Sequence, residues 1–542
     1  MSSLRSLTAL IVEPHSGMRS NLHNMLNQCG ITKIDHAVSA GTAIRPLKNK
    51  SYDLIICEYD LGEGQDGQQL LEDLRHNKLI PLWTIFIIVT AERAYEKVVS
   101  AAELAPNDYI LKPFTAETLL ERIARAIEKR TAFLPVYHLM EHGNLKEAID
   151  ICKLGEEKHK RYLVDFMRLR AELHVILGEG EEAEKIYQEV LKFKAVAWAR
   201  LGLAKTLFMQ DKFGDAEMLL AQLVEENSKY MDAYDWLAKT HEAIGELDKA
   251  KDVLTEAVTV SPHAVRRLRK LGDVALEAGD VDTAERSFQK VVSKAKYSEF
   301  RDPEDHVRLV RTLVKKGDTK QAGTVIRDME KSLSHVDKTP ACRALSSALV
   351  QTELGNADQA LQELNAAVAA CREVTGISNE LKMELARNCL EHNLDDGASE
   401  VMRDVMSNAA DDAAFAKAMA VFEQAGRKEL AETVAKESRR HVVELVSGGA
   451  EKAKQGDFKG AVELMTAAVH KLPENPQVVF NAAVAVLKYL ENVGWEEKLG
   501  DRARTYIESA RRLDPNNPRL VPLSDLYLGI MKKYGIKPPG AG

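Results

Sequence analysis

The sequence predicts a multidomain molecule: a doubly wound α/β domain with a five-stranded parallel sheet over residues 1–130, then an all-α array of about eleven helical hairpins over 131–535, and a short flexible tail at 536–542. Three observations predict it. Up to about residue 130, short β-rich apolar runs alternate with helical stretches. Beyond Phe133 the strand signal stops. In its place a pattern of large, small and large residues recurs about every 34 positions.

The strand candidates are Leu7–Val12, Lys33–Ala37, Leu54–Cys57, Trp83–Val89 and Asp108–Leu111, with helical segments at Met18–Gln28, Gln68–His76 and Glu117–Lys129. Strand and helix in strict alternation imply a parallel sheet covered on both faces. In such sheets the working groups gather at the carboxyl ends of the strands. The residues at those ends are Glu13-Pro14, Glu58-Tyr59-Asp60, Thr90-Ala91 and Lys112-Pro113-Phe114. Two acids, a hydroxyl and a lysine therefore share one rim. The run Leu7–Val12 after Arg5 is too short for a signal peptide and runs at once into Glu13, so it reads as the first buried strand.

This rim resembles the receiver domain of two-component response regulators. The segments Ile88-Val89-Thr90-Ala91 and Asp108 to Phe114 are similar to that family's switch and lysine motifs, and Asp66-Gly67 to the turn after its phosphorylation loop. The resemblance implies a CheY-like, flavodoxin-like fold, a pocket of Glu13, Thr90 and Lys112, and switch residues Thr90 and Tyr109. Two positions depart from the family. Pro14 stands where a second Mg²⁺-binding carboxylate is required, and the phosphoacceptor position, counted from Asp53, falls on Glu58. Residual Mg²⁺ binding at Glu13 and Glu58 is weakened accordingly, because Mg²⁺ prefers a full octahedral oxygen shell. A permanent glutamate near Thr90 and Lys112 places charge as phosphorylation does. Two other readings stay open: Asp60 as a displaced acceptor, about 6–7 Å along the chain, and an inert Glu58–Lys112 salt bridge.

In the second region, Leu237-Ala238, Gly245, Ala250, Leu254 and Pro262 line up with Leu271-Gly272, Gly279, Ala284 and Phe288, and with Leu203-Ala204, Ala216 and Leu220. Small residues let paired helices approach; the large one sits a turn further along the same face. Weaker units carry Ala148, Ala183, Ala322, Ala360, Ala398, Ala431, Ala461 and Ala503, with turns at glycines such as Gly143 and Gly317, degenerate units around Leu385 and Phe415, and a last unit closing at Pro515. The pattern resembles tetratricopeptide repeats, which implies a right-handed superhelix whose groove binds protein partners. Groove candidates are Trp198, Leu201, Lys205 and Phe208 in one unit. Lys239, Arg266, Arg269 and Arg311 come from the next three. Apolar residues beside basic ones suit an acidic, amphipathic segment; the alternative is that the aromatics pack internally and the charges solvate a face.

The composition closes off several classes. With 45% hydrophobic and 29% charged residues and a formal charge of −8, the chain reads as globular, without general attraction to nucleic acid and without a span for membrane insertion. Six scattered cysteines with no CxxC pair fit reduced thiols in a cytoplasm. No phosphate loop, HExxH or nucleophile elbow is present, so no enzyme and no cofactor are expected, and His138 and His142 lack a third ligand for a metal. The expected function is a bacterial signalling scaffold with a degenerate, phosphorylation-independent receiver. A phosphorylation-switched regulator or an assembly chaperone for a pilus- or flagellum-type machine are the alternatives, and the resemblance leaves a receiver-mediated homodimer open.

Overall fold

The computed structural model describes residues 4–62, 66–91, 106–141, 144–193, 195–262, 264–295, 301–374, 376–514 and 517–536. Gly143, His142, Pro515 and all of the predicted tail but its first residue lie outside the described residues. The chain divides into two compact units, Met1–Asp305 and His306–Gly542.

The first unit opens with strands β1 (Thr8–Val12), β2 (Lys33–Ala37), β3 (Leu54–Glu58), β4 (Ile85–Thr90) and β5 (Asp108–Leu111), interleaved with helices α1 (Ser16–Gln28), α2 (Ala40–Leu47) and α3 (Gly67–His76). The sheet order is β2-β1-β3-β4-β5 and every described pairing is parallel. β3 and β4 are buried along their whole length, as central strands covered on both faces must be. One apolar layer packs Leu70, Leu71 and Leu74 of α3 on the sheet, and the other packs Leu22, Leu26, Leu119 and Ile123. Ser39 and Asp66 start α2 and α3 with capping boxes, each side chain accepting from a backbone N–H three residues on.

The helical segment Glu117–Lys129 of the sequence reading stops at Lys129, but α4 (Ala116–Glu141) runs on through Pro135. Its amino-terminal half packs on the sheet through Leu119 and Ile123. Its carboxyl-terminal half gives Phe133 and Val136 to the next cluster, where the Phe133 and Phe166 rings stack 4.0 Å apart. One helix thus serves both the α/β domain and the first hairpin. It continues into α5 (Leu145–Lys158), α6 (Leu163–Ile176), α7 (Gly180–Phe193), α8 (Ala197–Met209), α9 (Phe213–Glu226), α10 (Met231–Ile244), α11 (Leu247–Val260), α12 (Val265–Glu277) and α13 (Val281–Ala295). The small residues Ala204, Ala238, Ala216, Ala250 and Ala284 are all buried between helices, with Leu220, Leu254 and Phe288 against them.

Next come α14 (Pro303–Lys315), in which the unit boundary falls, then α15 (Thr319–Leu333), α16 (Thr339–Glu353), α17 (Ala357–Glu373), α18 (Asn379–Glu391), α19 (Asp395–Ser407), α20 (Asp412–Gln424), α21 (Lys428–Lys454), α22 (Phe458–Lys471), α23 (Pro476–Asn492), α24 (Glu497–Leu513) and α25 (Leu520–Lys533). The irregular stretch around Phe415 has a clear cause. α21 is 27 residues long and fuses what two hairpins elsewhere keep apart, with Gly449 buried in its interior against Met465. α25 closes the array by laying Leu520, Leu523 and Ile530 into the last core while Val521 and Leu528 stay exposed. No described helix is long and apolar enough to cross a membrane.

Candidate functional site: an acidic pocket closed by a lysine

Parallel register brings the strand ends together. Val12 pairs with Cys57, and Glu58 with Val89, so Glu13 and Glu58 leave adjacent strands at one rim. The Lys112 N–H donates to the Thr90 carbonyl at 2.7 Å, which sets the lysine beside the end of β4. Its side chain then turns inward. Nζ donates to Glu13 Oε2 at 3.0 Å and to Glu58 Oε2.

The remaining carboxylate oxygens are also engaged. Glu13 Oε1 accepts from the His15 N–H at 3.0 Å. Glu58 Oε1 accepts from the N–H groups of Tyr59 at 2.8 Å and Asp60 at 3.3 Å. Arg19 fastens the turn below by donating to the carbonyls of Glu13 and Pro14 at 2.7 and 3.2 Å. Glu13 is fully buried and Glu58 nearly so. Burial pushes the Glu58 carboxyl up, against the pull of Lys112. Burial draws Lys112 down, but its bonds to Glu58 and Glu13 outweigh that and hold the ammonium above its ordinary value.

The structure thus unites Glu13, Glu58 and Lys112, with Thr90 buried alongside. Asp60 is exposed, and its Oδ1 accepts from the Gly62 N–H at 2.9 Å, so it caps the turn outside the pocket. Tyr109 is half-buried against the apolar layer that holds α3. The residues present do not fit a Mg²⁺ ion. Each carboxylate already gives one oxygen to a backbone N–H and one to the ammonium, and Pro14 supplies no third, so a cation has to displace Lys112 from both acids.

The groove candidates divide. Lys239 Nζ lies 4.2 Å over the Trp236 ring and 4.9 Å over Phe208, and Lys205 Nζ lies 5.2 Å over Trp236. Phe208 and Trp236 meet edge to face at 5.5 Å. Trp198, one repeat earlier in the contact chain, is capped by Arg168 at 5.4 Å. Burial lowers Lys239, with Lys270 and Lys205 adding like-charge repulsion and Glu242 opposing. Leu201, in contrast, is 3% exposed within the core of Ala204, Leu220 and Ala233, so it is a packing residue and not a groove contact. Two arginines among the candidates are already paired. Arg269 makes a two-bond pair with buried Asp305 at 2.6 and 2.8 Å, and Arg311 donates to Glu384 at 3.3 Å, so both hold helices together. Arg266 is exposed. Trp236, Arg168 and Lys270 escaped the sequence reading. Trp236 and Lys270 stand two residues before the small residues Ala238 and Gly272, an offset that marks this face.

Among the described residues, Glu217, His241 and Glu246 are the grouping whose donor atoms come within 4.8 Å of one another. It reads as a turn lock. His241 Nδ1 lies 2.9 Å from Glu246 Oε2, Lys249 neutralises Glu246 at 2.9 Å, and the same pairing recurs between His174 and Glu179 at 2.6 Å. His138 packs edge-on against Trp83.

Comparison with known proteins bears on both parts. The family profile of the response regulator receiver domain matches residues 9–124. The chain is 30% identical over 125 residues to "Chemotaxis protein CheY-3" of Vibrio cholerae, covering 23% of this chain and 95% of that protein. The chain belongs to the response regulator receiver family. Its receiver is also 31% identical over 120 residues to "Chemotaxis protein CheY" of Pseudomonas aeruginosa, covering 22% of this chain and 95% of that one. Behind the receiver, the tetratricopeptide repeat profile matches residues 236–299. Among solved structures, the C-terminal part of a TPR repeat-containing protein from Cytophaga hutchinsonii aligns at 16% identity with a TM-score of 0.36, over 46% of this chain and 97% of that one. The MamA protein aligns at 22% identity with a TM-score of 0.27, over 32% and 97%. Receiver and repeats in one chain fit a signalling adaptor or response regulator.

Proposed function

We propose that this chain is a non-enzymatic cytoplasmic signalling adaptor, in which a phosphorylation-independent receiver is built onto repeats that bind a protein partner. One observation carries the first part: Lys112 is bonded to Glu58, the residue at the acceptor position, and to Glu13 at the same time. A carboxylate one methylene longer than aspartate reaches the lysine without a phosphoryl group, and its charge is permanent. The same ammonium occupies the space between the acids where a divalent ion has to enter. The Lys205, Phe208, Trp236 and Lys239 cluster supports the second part, since stacked cations beside aromatic faces suit an acidic segment with apolar side chains. All six cysteines are free, which supports a reducing compartment.

The test is direct. The full chain is incubated with acetyl phosphate and Mg²⁺, and separately with beryllofluoride, and intact mass and tryptic peptides are read. The expected result is no added phosphoryl group and no change in the receiver on beryllofluoride addition. Stoichiometric phosphorylation at Glu58 or Asp60 overturns the proposal in favour of a phosphorylation-switched regulator.

A further inference from the structure

On α3, Leu70, Leu71 and Leu74 turn toward the sheet. Gln68, Glu72 and Arg75, spaced four and three apart, form a separate stripe on the helix. On a receiver standing by itself such a stripe faces water. Here Gln68 is 8% exposed, and Glu72 and Arg75 are half-buried. The stripe is internally bonded: Gln68 Nε2 donates to Glu72 Oε1 at 3.2 Å, and Arg75 donates to the carbonyls of Pro81 and Thr84.

The groups facing it come from the repeats. Glu72 lies in the field of Arg267 and Arg266 on α12 and of Asp235 on α10, and Arg75 in that of Tyr137 on α4. Arg267 is held in place by two hydrogen bonds to Asp235, at 2.7 and 2.8 Å. In the turn after α3, the Trp83 ring meets His138 edge-on at 5.0 Å. At the amino-terminal end of the central strand β3, Arg130 of α4 donates to Asp53 at 3.2 Å. Burial raises the Glu72 carboxyl, against the pull of Gln68, Arg267 and Arg266 and with Asp235 adding to it.

We infer that α3 is a latch: its Gln68–Glu72–Arg75 stripe seats the receiver on α10 and α12, the first helices of two consecutive repeats, with Glu72 set against Arg266 and Arg267. That stretch of the groove is then held by the chain itself, and a protein partner entering there competes with the receiver. The latch begins at the acidic pocket. Gly67, the first residue of α3, donates its N–H to the Tyr59 carbonyl at 2.7 Å, and a Cβ at Gly67 would lie 2.5 Å from the Glu58 carbonyl oxygen. Backbone this close leaves no room for a side chain between the end of β3 and the base of α3.

Thiol accessibility tests the latch in the full chain. Gln68→Cys places a reporter on the covered stripe, and its maleimide labelling rate is read by mass spectrometry against the six native cysteines. The expected result is slow labelling, accelerated at least tenfold by Glu72→Arg and returned to within about threefold of the parent by adding Arg266→Glu. If Glu72→Arg does not fold, Arg266→Glu alone, at an exposed position, is expected to accelerate labelling at least threefold. Fast labelling in the Gln68→Cys parent, or rates unmoved by either charge reversal, overturns the inference. So does an acceleration by Glu72→Arg that Arg266→Glu fails to reverse.

Discussion

Lys112→Met is expected to destabilise the receiver by about 3–5 kcal/mol near neutral pH, because it strips the counter-charge from two buried acids at once. Glu13 has no exposed side-chain surface and Glu58 very little, and each is left with backbone N–H groups alone. Glu58→Gln, which leaves the Lys112–Glu13 pair in place, should cost about 1 kcal/mol. The pH dependence identifies the cause. Burial already raises Glu58 from its ordinary 4.5, and without Lys112 only backbone N–H groups oppose that burial and the repulsion from Glu13. A carboxyl whose folded pKa lies above its unfolded one binds more protons folded than unfolded, so stability falls as pH rises from about 4.5 upward. The deficit of Lys112→Met should therefore be smaller at pH 5 than at pH 7.5, and adding Glu13→Gln and Glu58→Gln should return most of it. Urea unfolding read at the ¹⁹F resonance of fluorinated Trp83, the tryptophan of the α/β domain, measures it. A loss below about 1 kcal/mol at pH 7.5 contradicts a buried ion triad and supports a solvated pair.

The contrast between the acidic pocket and the groove shows what a linear sequence reveals. Glu13, Glu58, Thr90 and Lys112 were legible because each ends an apolar run, and parallel strands deliver such residues to one rim. That the ammonium bonds both acids depends on a side-chain path across the rim, which no spacing records. The repeats were legible through their small residues, since close helix approach tolerates few side chains. The faces of the first helices were less so. Leu201 stands three residues before Ala204 and shares its packing face. The acids that engage Arg269 and Arg311 stand 36 and 73 residues away in sequence. The continuation of α4 was hidden by Pro135, an ordinary helix breaker, which here sits in a helix held by tertiary contacts at both ends. The burial of the α3 stripe was invisible for a simpler reason: Gln68, Glu72 and Arg75 are the residues a solvated face carries.

At the junction of α12 and α13, Phe288→Ala is expected to cost about 3–5 kcal/mol. Phe288 is fully buried, and its ring lies over Gly272, where an added Cβ would come 2.6 Å from it. The absence of a side chain at Gly272 therefore creates the seat for the ring, as Ala238 does for the smaller Leu254 one repeat earlier. Gly272→Ala should accordingly destabilise by about 1–3 kcal/mol through overpacking, although alanine is the better helix former by about 1 kcal/mol. The two terms oppose, and the rigid ring decides the sign. Gly272→Ala with Phe288→Leu reproduces the neighbouring repeat's own pair, so the double substitution should be more stable than the sum of the two single changes by at least about 1 kcal/mol. Hydrogen exchange of the α12 and α13 amides in the full chain reads each variant locally, without assuming that the whole chain unfolds in one step. Additive losses in that cycle would mean that the glycine is set by backbone conformation and not by the ring, and the steric account of this repeat would have to be abandoned.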